Sequence, residues 1–358
     1  MGTNSLKIRS RAPTRIDLAG GTLDIWPIYL FVNQPTTVNV AIDLYAEAEI
    51  EECKSVGSDS VILRAEDQSI ELSLTWQEVA KPHSVPPSLE LHYKLLRYFL
   101  LKKKQAGTWV SSRDLRISTR AQSPAGAGIG GSSSLTIALA GALSQWAGGK
   151  EKPEELISIA RDIETTVIQV PAGLQDYYGA TFGGLQSLQW GISQNDRHPF
   201  SKKTLLELDH RLLLFYSGQS RNSGINNWAL FKSFIDRKDE VRERFDKISA
   251  ASFKLVSAFQ KEDWNEAALS IQEEWQTRKN LAPGITTPEI EAAFTAAKRL
   301  GISSGKICGA GGGGCFFFFI PDADPELKKN IQIQVSELGI KPLPIHVSLQ
   351  GLEVQVMS

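Results

Sequence analysis

The chain has 358 residues, 42% of them hydrophobic and 22% charged, which is enough to bury two cores. A formal net charge of −1 argues against the strongly basic surface of a nucleic-acid or anionic-membrane binder. Three cysteines without a CxxC pair, and five histidines without an HExxH or HxxxH pair, argue against a disulfide framework and a histidine-type metal site.

No apolar run approaches the roughly 18 residues of a membrane span, and the N-terminus carries no apolar core of a signal peptide. The expectation is a soluble, cytoplasmic protein with no nucleic-acid or membrane partner, acting as monomer or homodimer.

In chain order, LKIRSRAPTRIDLAG (6–20) alternates polar and apolar residues like a strand and runs into glycines, LAGGTLD (18–24). TTVNVAIDLYAEAEIEEC (36–53) alternates again and puts Glu47, Glu49 and Glu51 on one face, which predicts a half-solvated antiparallel strand. VILRAED and SIELSL continue the strand-rich start, and PSLELHYKLLRYFLLKKK (87–104) predicts the first long helix.

SPAGAGIGGSSSL (123–135) follows. Each glycine costs conformational entropy on folding, so the loop needs a purpose that side chains would obstruct. Directly after it, Leu135, Ala138, Leu139, Ala142, Leu143 and Trp146 form one apolar stripe at helical spacing. A glycine loop feeding a helix start offers backbone N–H groups and the positive end of the helix dipole to an anion. The hydroxyls of Ser132–Ser134 can cap that helix or face a metal ion; a plain turn with a serine cap is the alternative reading. No Lys-Ser/Thr follows the glycines, no first βα unit precedes them, and no G-x-S-x-G is present. A Walker loop, a dinucleotide fingerprint and a hydrolase elbow are therefore set aside.

A second helix starts near Pro153 and buries Leu156, Ile159, Ala160, Ile163 and Val167. Glu164 stands at the edge of that stripe, where an unpaired carboxylate is costly; a surface glutamate paired with Arg161 is the alternative. The polar stretch GISQNDRHPFSKK (191–203) suggests a boundary, dividing the chain into 1–195 and 196–358. The second half restarts with a strand, HRLLLFYSG (210–218), and continues in helical segments through Trp275. A helix from Pro288 to Leu300 is capped by Thr287 and stopped by Gly301. KICGAGGGGCFFFFIP (306–321), a helix from Pro325 to Leu338 behind Asp324 and a closing strand pair complete the chain. Without a regular βαβ rhythm the class is α+β. Three glycine loops in one chain point to a polyanionic ligand.

RAPTRIDLAGGTLD (11–24), SPAGAGIGGSSS (123–134) and KICGAGGGGC (306–315), in this order, resemble the three signatures of the GHMP kinases. That superfamily groups galactokinase, homoserine kinase, mevalonate kinase and phosphomevalonate kinase. RDIETTVIQVPAGLQDYYGATFGG (161–184), YSGQSRNSG (216–224) and EEWQTRKNLAPGITTPEIE (273–291) are similar to its sugar-kinase branch, most of all to D-glycero-D-manno-heptose 7-phosphate kinases. The resemblance implies a ribosomal-protein-like N-terminal α/β domain and a ferredoxin-like C-terminal domain, with ATP and substrate in the cleft between them. It implies ATP- and Mg2+-dependent phosphorylation of a hydroxyl on a sugar or sugar phosphate. A mevalonate-type kinase and a non-catalytic nucleotide- or sugar-binding regulator are the alternatives.

Residue by residue, the resemblance assigns the ATP phosphates to Pro124, Gly126, Ala127, Gly128, Ile129, Gly130, Gly131, Ser132 and Ser133. Ser132 and Glu164 match the magnesium ligands. Asp176 matches the catalytic aspartate, which orients the substrate hydroxyl and accepts its proton. Arg15 matches the basic residue beside it, offsetting charge on the transferring phosphoryl group. Asp24, Gly21, Arg221, Gly311 and Gly312 match substrate-binding positions. Three positions depart from the heptose-kinase pattern: Leu174 replaces an expected lysine, Leu23 an expected threonine and Gly131 an expected serine or threonine. Loss of the lysine removes a contact to a sugar phosphate and leaves a neutral sugar or another polyol open as acceptor.

Overall fold

In the computed structural model, residues 6–54, 59–109, 113–218, 223–236 and 239–357 are described. β1 (Leu6–Ala19) and β2 (Thr36–Lys54) form a long antiparallel pair, from Leu6 opposite Glu52 to Ala19 opposite Val38. The acidic row of β2 faces outward, as its alternation predicts, and cross-strand cations hold it. Lys7 Nζ lies 2.6 Å from Glu49 and 2.7 Å from Glu51, and Arg120 pairs with Glu47. In β1 the alternation ends at Ala12, and every residue from there to Ala19 is buried. At that point the strand leaves the half-wet part of the sheet and enters the centre of the molecule.

β3 (Ser60–Ala65), β4 (Ile70–Thr75), the short α1 (Trp76–Ala80), α2 (Glu90–Gln105) and β5 (Arg113–Ala121) come next. α3 (Gly131–Ala147), α4 (Pro153–Ile168) and α5 (Gln175–Phe182) follow, then β6 (Leu185–Gln189) and β7 (Asp196–Pro199). The first sheet runs β1-β2-β5-β3-β4, with β6 and then β7 added on the other part of β2. α3 lies across β1 and β2 and is buried almost all round, from Ser133 to Ser144 with only Leu135 partly exposed.

The second half contains α6 (Lys202–Asp209), β8 (Leu212–Tyr216), α7 (Ser223–Ile235), α8 (Asp239–Gln260), α9 (Trp264–Arg278) and α10 (Pro288–Arg299). β9 (Gly305–Ile307), β10 (Cys315–Phe319), α11 (Pro325–Ser336), β11 (Lys341–Leu343) and β12 (Glu353–Met357) end the chain. The second sheet has the order β11-β8-β10-β9 with every pair antiparallel, the β-α-β-β-α-β arrangement of a ferredoxin-like unit. Its centre is the aromatic run Phe316–Phe319, each residue 0% exposed and alternating between two cores. The α10 and α11 caps form as read: Thr287 accepts the Ile290 N–H, and Asp324 accepts those of Glu326 and Leu327.

Two readings need correction. The closing strands do not pair with each other. β11 edges the second sheet, whereas β12 pairs with β1 at the edge of the first, because alternation specifies a face and not a partner. Nor does a serine cap α3. Its N-cap is Gly130, at φ +75° with no side-chain cap, and the three serines fall inside the first turn.

Candidate active site

The middle of β1 meets both remaining glycine loops through one side chain. Arg15 is 5% exposed. Its backbone N–H reaches Ile129 O at 3.0 Å, and its Nη1 reaches Gly128 O at 2.8 Å and Cys308 O at 3.0 Å. The same guanidinium binds Asp176 Oδ1 through Nε at 2.8 Å and Nη2 at 2.6 Å. The three glycine signatures and Asp176 are thus joined at one cation. Burial pulls the Arg15 pKa down, and the charges of Asp176 and Asp17 more than restore it.

Asp176 sits in the first turn of α5, with its side chain 23% exposed while its partner Arg15 is shut in at 6%. Arg15 is therefore a buried charge, and the Asp176 carboxylate is bound to its guanidinium.

The second glycine loop shows a consistent orientation. Its carbonyls turn inward: Ala127 O accepts the Cys315 N–H, Gly128 O and Ile129 O accept from Arg15, and Gly130 O accepts from Ser134. Gly126, Gly128 and Gly130 all have positive φ, at +68°, +75° and +75°. Among the described residues no protein partner meets the N–H groups of Gly128, Ile129 and Gly130, and the first turn of α3 adds its own unmatched donors. Such a row of donors at a helix start is built for an anion.

The third loop does a different job. A Cβ on Gly309 would stand 2.9 Å from both Gly128 Cα and Gly128 O, so glycine is required for loop to lie on loop. Gly312 gives its N–H to Ile285 O at 2.7 Å, and Gly311 packs on Ile285 as well. The structure therefore sets Gly311 and Gly312 against the segment before α10. Arg221 lies outside the described residues.

Ser132 and Glu164 meet. The Ser132 hydroxyl donates to Glu164 Oε1 at 2.5 Å, and the Thr136 hydroxyl donates to Oε2 at 3.1 Å. Glu164 is 4% exposed, and Arg161 pairs with Asp162 instead, so the reading of a surface glutamate fails. Burial pushes the Glu164 carboxyl above its usual range despite the hydroxyls around it. Ser133 is buried, and Ser134 donates to Pro13 O and Gly130 O, tying the helix start to β1.

Asp24, 2% exposed, accepts the Gln175 N–H on Oδ2 at 2.9 Å, while its carbonyl accepts the Leu174 N–H at 3.3 Å. It is thereby fixed to the turn that carries Asp176. Burial, and then the charge of Asp176, push its pKa up to about 6. Gly21 packs against Asp17 and Gln175. Leu23 and Leu174 belong to the main core at 0% and 4% exposed. Gly131 faces Ser123, which occupies the space a side chain there would need.

The sequence reading missed Thr136 and Gln175. Thr136 is Ser132 plus four on a helix, a spacing that could have revealed it; Gln175 acts through its backbone and leaves no sequence signal. It also missed a buried group of Asp17, Glu274, Arg278 and Lys306 directly behind the first glycine loop.

The model of the GHMP kinases N terminal domain matches residues 90–184, and that of the GHMP kinases C terminal domain matches residues 255–337. A D-glycero-alpha-D-manno-heptose 7-phosphate kinase of Campylobacter jejuni is 25% identical over 90% of this chain and 91% of its own. The L-fucokinase/L-fucose-1-P guanylyltransferase of Bacteroides fragilis is 26% identical over 93% of this chain, which spans 36% of that protein. The crystal structure of a D-glycero-D-manno-heptose 1-phosphate kinase from Bacteroides thetaiotaomicron superposes with a TM-score of 0.76. It covers 98% of this chain and 99% of that one at 21% identity.

Proposed function

From the premise that this chain belongs to the GHMP kinase family and is an ATP-dependent kinase, we propose that it phosphorylates a hydroxyl of a sugar or sugar phosphate. One observation carries the reading. One guanidinium, that of Arg15, binds the Asp176 carboxylate and also the Gly128 carbonyl, on the loop whose N–H groups at 128–130 meet no protein partner among the described residues.

In this reading the loop from Gly126 to Ser133 cradles the phosphates of ATP on the N–H groups of residues 128–130 and of the first turn of α3, while Pro124 accepts the Ala127 N–H and fixes the entry of the loop. Asp176 orients the acceptor hydroxyl. As the acceptor oxygen bonds to the γ-phosphorus and the bond to the β–γ bridging oxygen breaks, the hydroxyl proton passes to the Asp176 carboxylate and ADP leaves. Arg15 holds Asp176 in place and offsets charge on the transferring group. Asp24 accepts hydrogen bonds from acceptor hydroxyls.

The residues fit a magnesium ion. Ser132 and Glu164 are hard oxygen donors side by side, and the buried Glu164 has no cation among the described residues. Two protein oxygens plus substrate phosphates suit Mg2+, which prefers this to a cage of protein ligands. When bound, the ion would neutralise phosphate charge.

Core burial of Leu23 and Leu174 gives the acceptor space no charge at those two positions, so an acceptor phosphate would have to be met by other residues. We propose residues 1–195 and 196–358 as the two units that meet at this cleft, the second lending β7 and β12 to the sheet of the first.

The test is ADP release with Mg-ATP over D-glycero-D-manno-heptose 7-phosphate, L-fucose, D-galactose and mevalonate. Turnover of a sugar or sugar phosphate, with mevalonate silent, is expected. Turnover of mevalonate alone would replace the sugar reading with an isoprenoid-type kinase. Silence on every acceptor, with ATP still bound, would favour the regulator.

A further inference from the structure

Behind the first glycine loop lies an ionic group that the proposed transfer does not use. Asp17, Glu274, Arg278 and Lys306 are 2%, 0%, 3% and 0% exposed. Lys306 Nζ stands 2.7 Å from Asp17 Oδ2 and 3.1 Å from Glu274 Oε1. Arg278 donates to the same Glu274 oxygen through Nε at 2.8 Å and Nη2 at 2.6 Å. Two positive and two negative charges balance. Burial alone would raise the Glu274 pKa, but the two cations hold it below the usual range.

What this group faces is the acceptor loop. Glu274 Oε1 accepts the Gly20 N–H at 3.2 Å. Arg278 Nη2 donates to Gly21 O at 2.7 Å, and its Nη1 approaches Thr22 Oγ1 at 3.4 Å. One turn of α9 therefore grips three consecutive residues. Those residues need a grip: Gly20 has φ +84°, and Thr22, a β-branched residue, has φ +72°. A threonine in the left-handed region is a true outlier, costs on the order of 1–3 kcal/mol and persists only where its surroundings over-determine it. Two residues further on stands Asp24, bonded to the turn that carries Asp176.

We propose that Glu274, Arg278 and Lys306, all from the second half of the chain, are positioning residues for the acceptor. Glu274 and Arg278, with Lys306 bound to Glu274 behind them, clamp residues 20–22 in the strained turn and so set the place of Asp24 relative to Asp176. The inference rests on the reading of Asp24 as an acceptor contact. It makes acceptor affinity, and not ATP affinity, depend on a helix that touches neither substrate.

The experiment uses the full chain with Arg278→Met and Thr22→Gly. Deuterium uptake of peptides covering 18–26 is measured without ligand. Steady-state ADP release is then measured with Mg-ATP and whichever of D-glycero-D-manno-heptose 7-phosphate, L-fucose or D-galactose turns over. Arg278→Met is expected to speed exchange at 18–26 and raise acceptor KM by about tenfold, with ATP KM within about twofold. Thr22→Gly removes the strain along with the clamped hydroxyl. It is expected to melt within about 3 °C of the parent and still raise acceptor KM by about threefold or more. A merely structural role would lower melting temperature without splitting the two KM values. Unchanged exchange at 18–26 in the folded variants, or acceptor and ATP KM moving together, would overturn the proposal. If Arg278→Met does not fold, Thr22→Gly decides alone. If no sugar turns over, the sugar reading falls, while exchange at 18–26 still decides whether the clamp exists.

Discussion

Arg15 and Asp17 leave the same face of β1 two residues apart, yet they enter ionic groups of opposite character. Arg15 binds Asp176, whose side chain keeps 23% of its surface. Asp17 binds Lys306 in a group where no member exceeds 3% exposure and whose donors all end on protein oxygens. In the first group the cation is shut in and the carboxylate is left one open edge, so a ligand atom can reach it. In the second every charge is closed off, so its energy goes into holding backbone. Burial by itself therefore does not mark a reactive group; an open edge beside a fixed counter-charge does.

The largest effect is expected on the closed side. Lys306→Met takes the cation from two buried carboxylates at once, and breaking a buried ionic group in this way costs about 3–5 kcal/mol. The melting temperature should fall by about 6–12 °C. A loss of less than a degree or two, seen in a thermal melt, would mean that the two groups are not different in kind.

Next comes the open side. Asp176→Asn should lower kcat by at least ~10²-fold, with ATP KM within about threefold and melting within about 3 °C of the parent. ADP release and a melt on the same preparation check both halves. Normal turnover would remove Asp176 as proton acceptor; a melting loss as large as that of Lys306→Met would erase the contrast.

The open group was legible in the sequence and the closed one was not. Arg15 and Ser132 sit in stretches that resemble the family's signatures, Asp176 and Glu164 were marked by the same resemblance, and Glu164 also by its place at the edge of an apolar helix stripe. Glu274 and Arg278 stand four apart on a helix, a spacing usual for exposed ion pairs, and nothing local reveals that this face is buried. Asp17 and Lys306 meet across 289 residues. The same limit explains β12. Its alternation was visible, but its pairing with β1 joins the two ends of the chain and depends on the assembled sheet. Helix caps were read correctly at Thr287 and Asp324, where side chain and backbone are neighbours in sequence. The expected serine cap failed at Gly130, where the left-handed glycine itself starts the helix.

Asp24 lies between the two groups and supplies the finest test. It is as buried as the closed group, yet among the described residues no side-chain cation bonds to it, and its pKa is pushed up to about 6. The unfolded value is about 3.9. Between these values the native state binds more protons than the unfolded one, so stability falls as pH rises from about 4 to 6 and the penalty is complete above that. Asp24→Asn abolishes this term. The variant should melt a few degrees above the parent at pH 7.5, and the gap should shrink as pH is lowered through 6 towards 4.5. Function runs the other way. Only the ionised carboxylate accepts hydrogen bonds on both oxygens, so the parent's acceptor KM should fall as pH rises through about 6, whereas that of Asp24→Asn should be higher and flat. Melts across this pH range and acceptor KM at each pH separate the two trends. An Asn variant less stable than the parent at pH 7.5 would show that Asp24 is compensated like Glu274, and so belongs with the closed group.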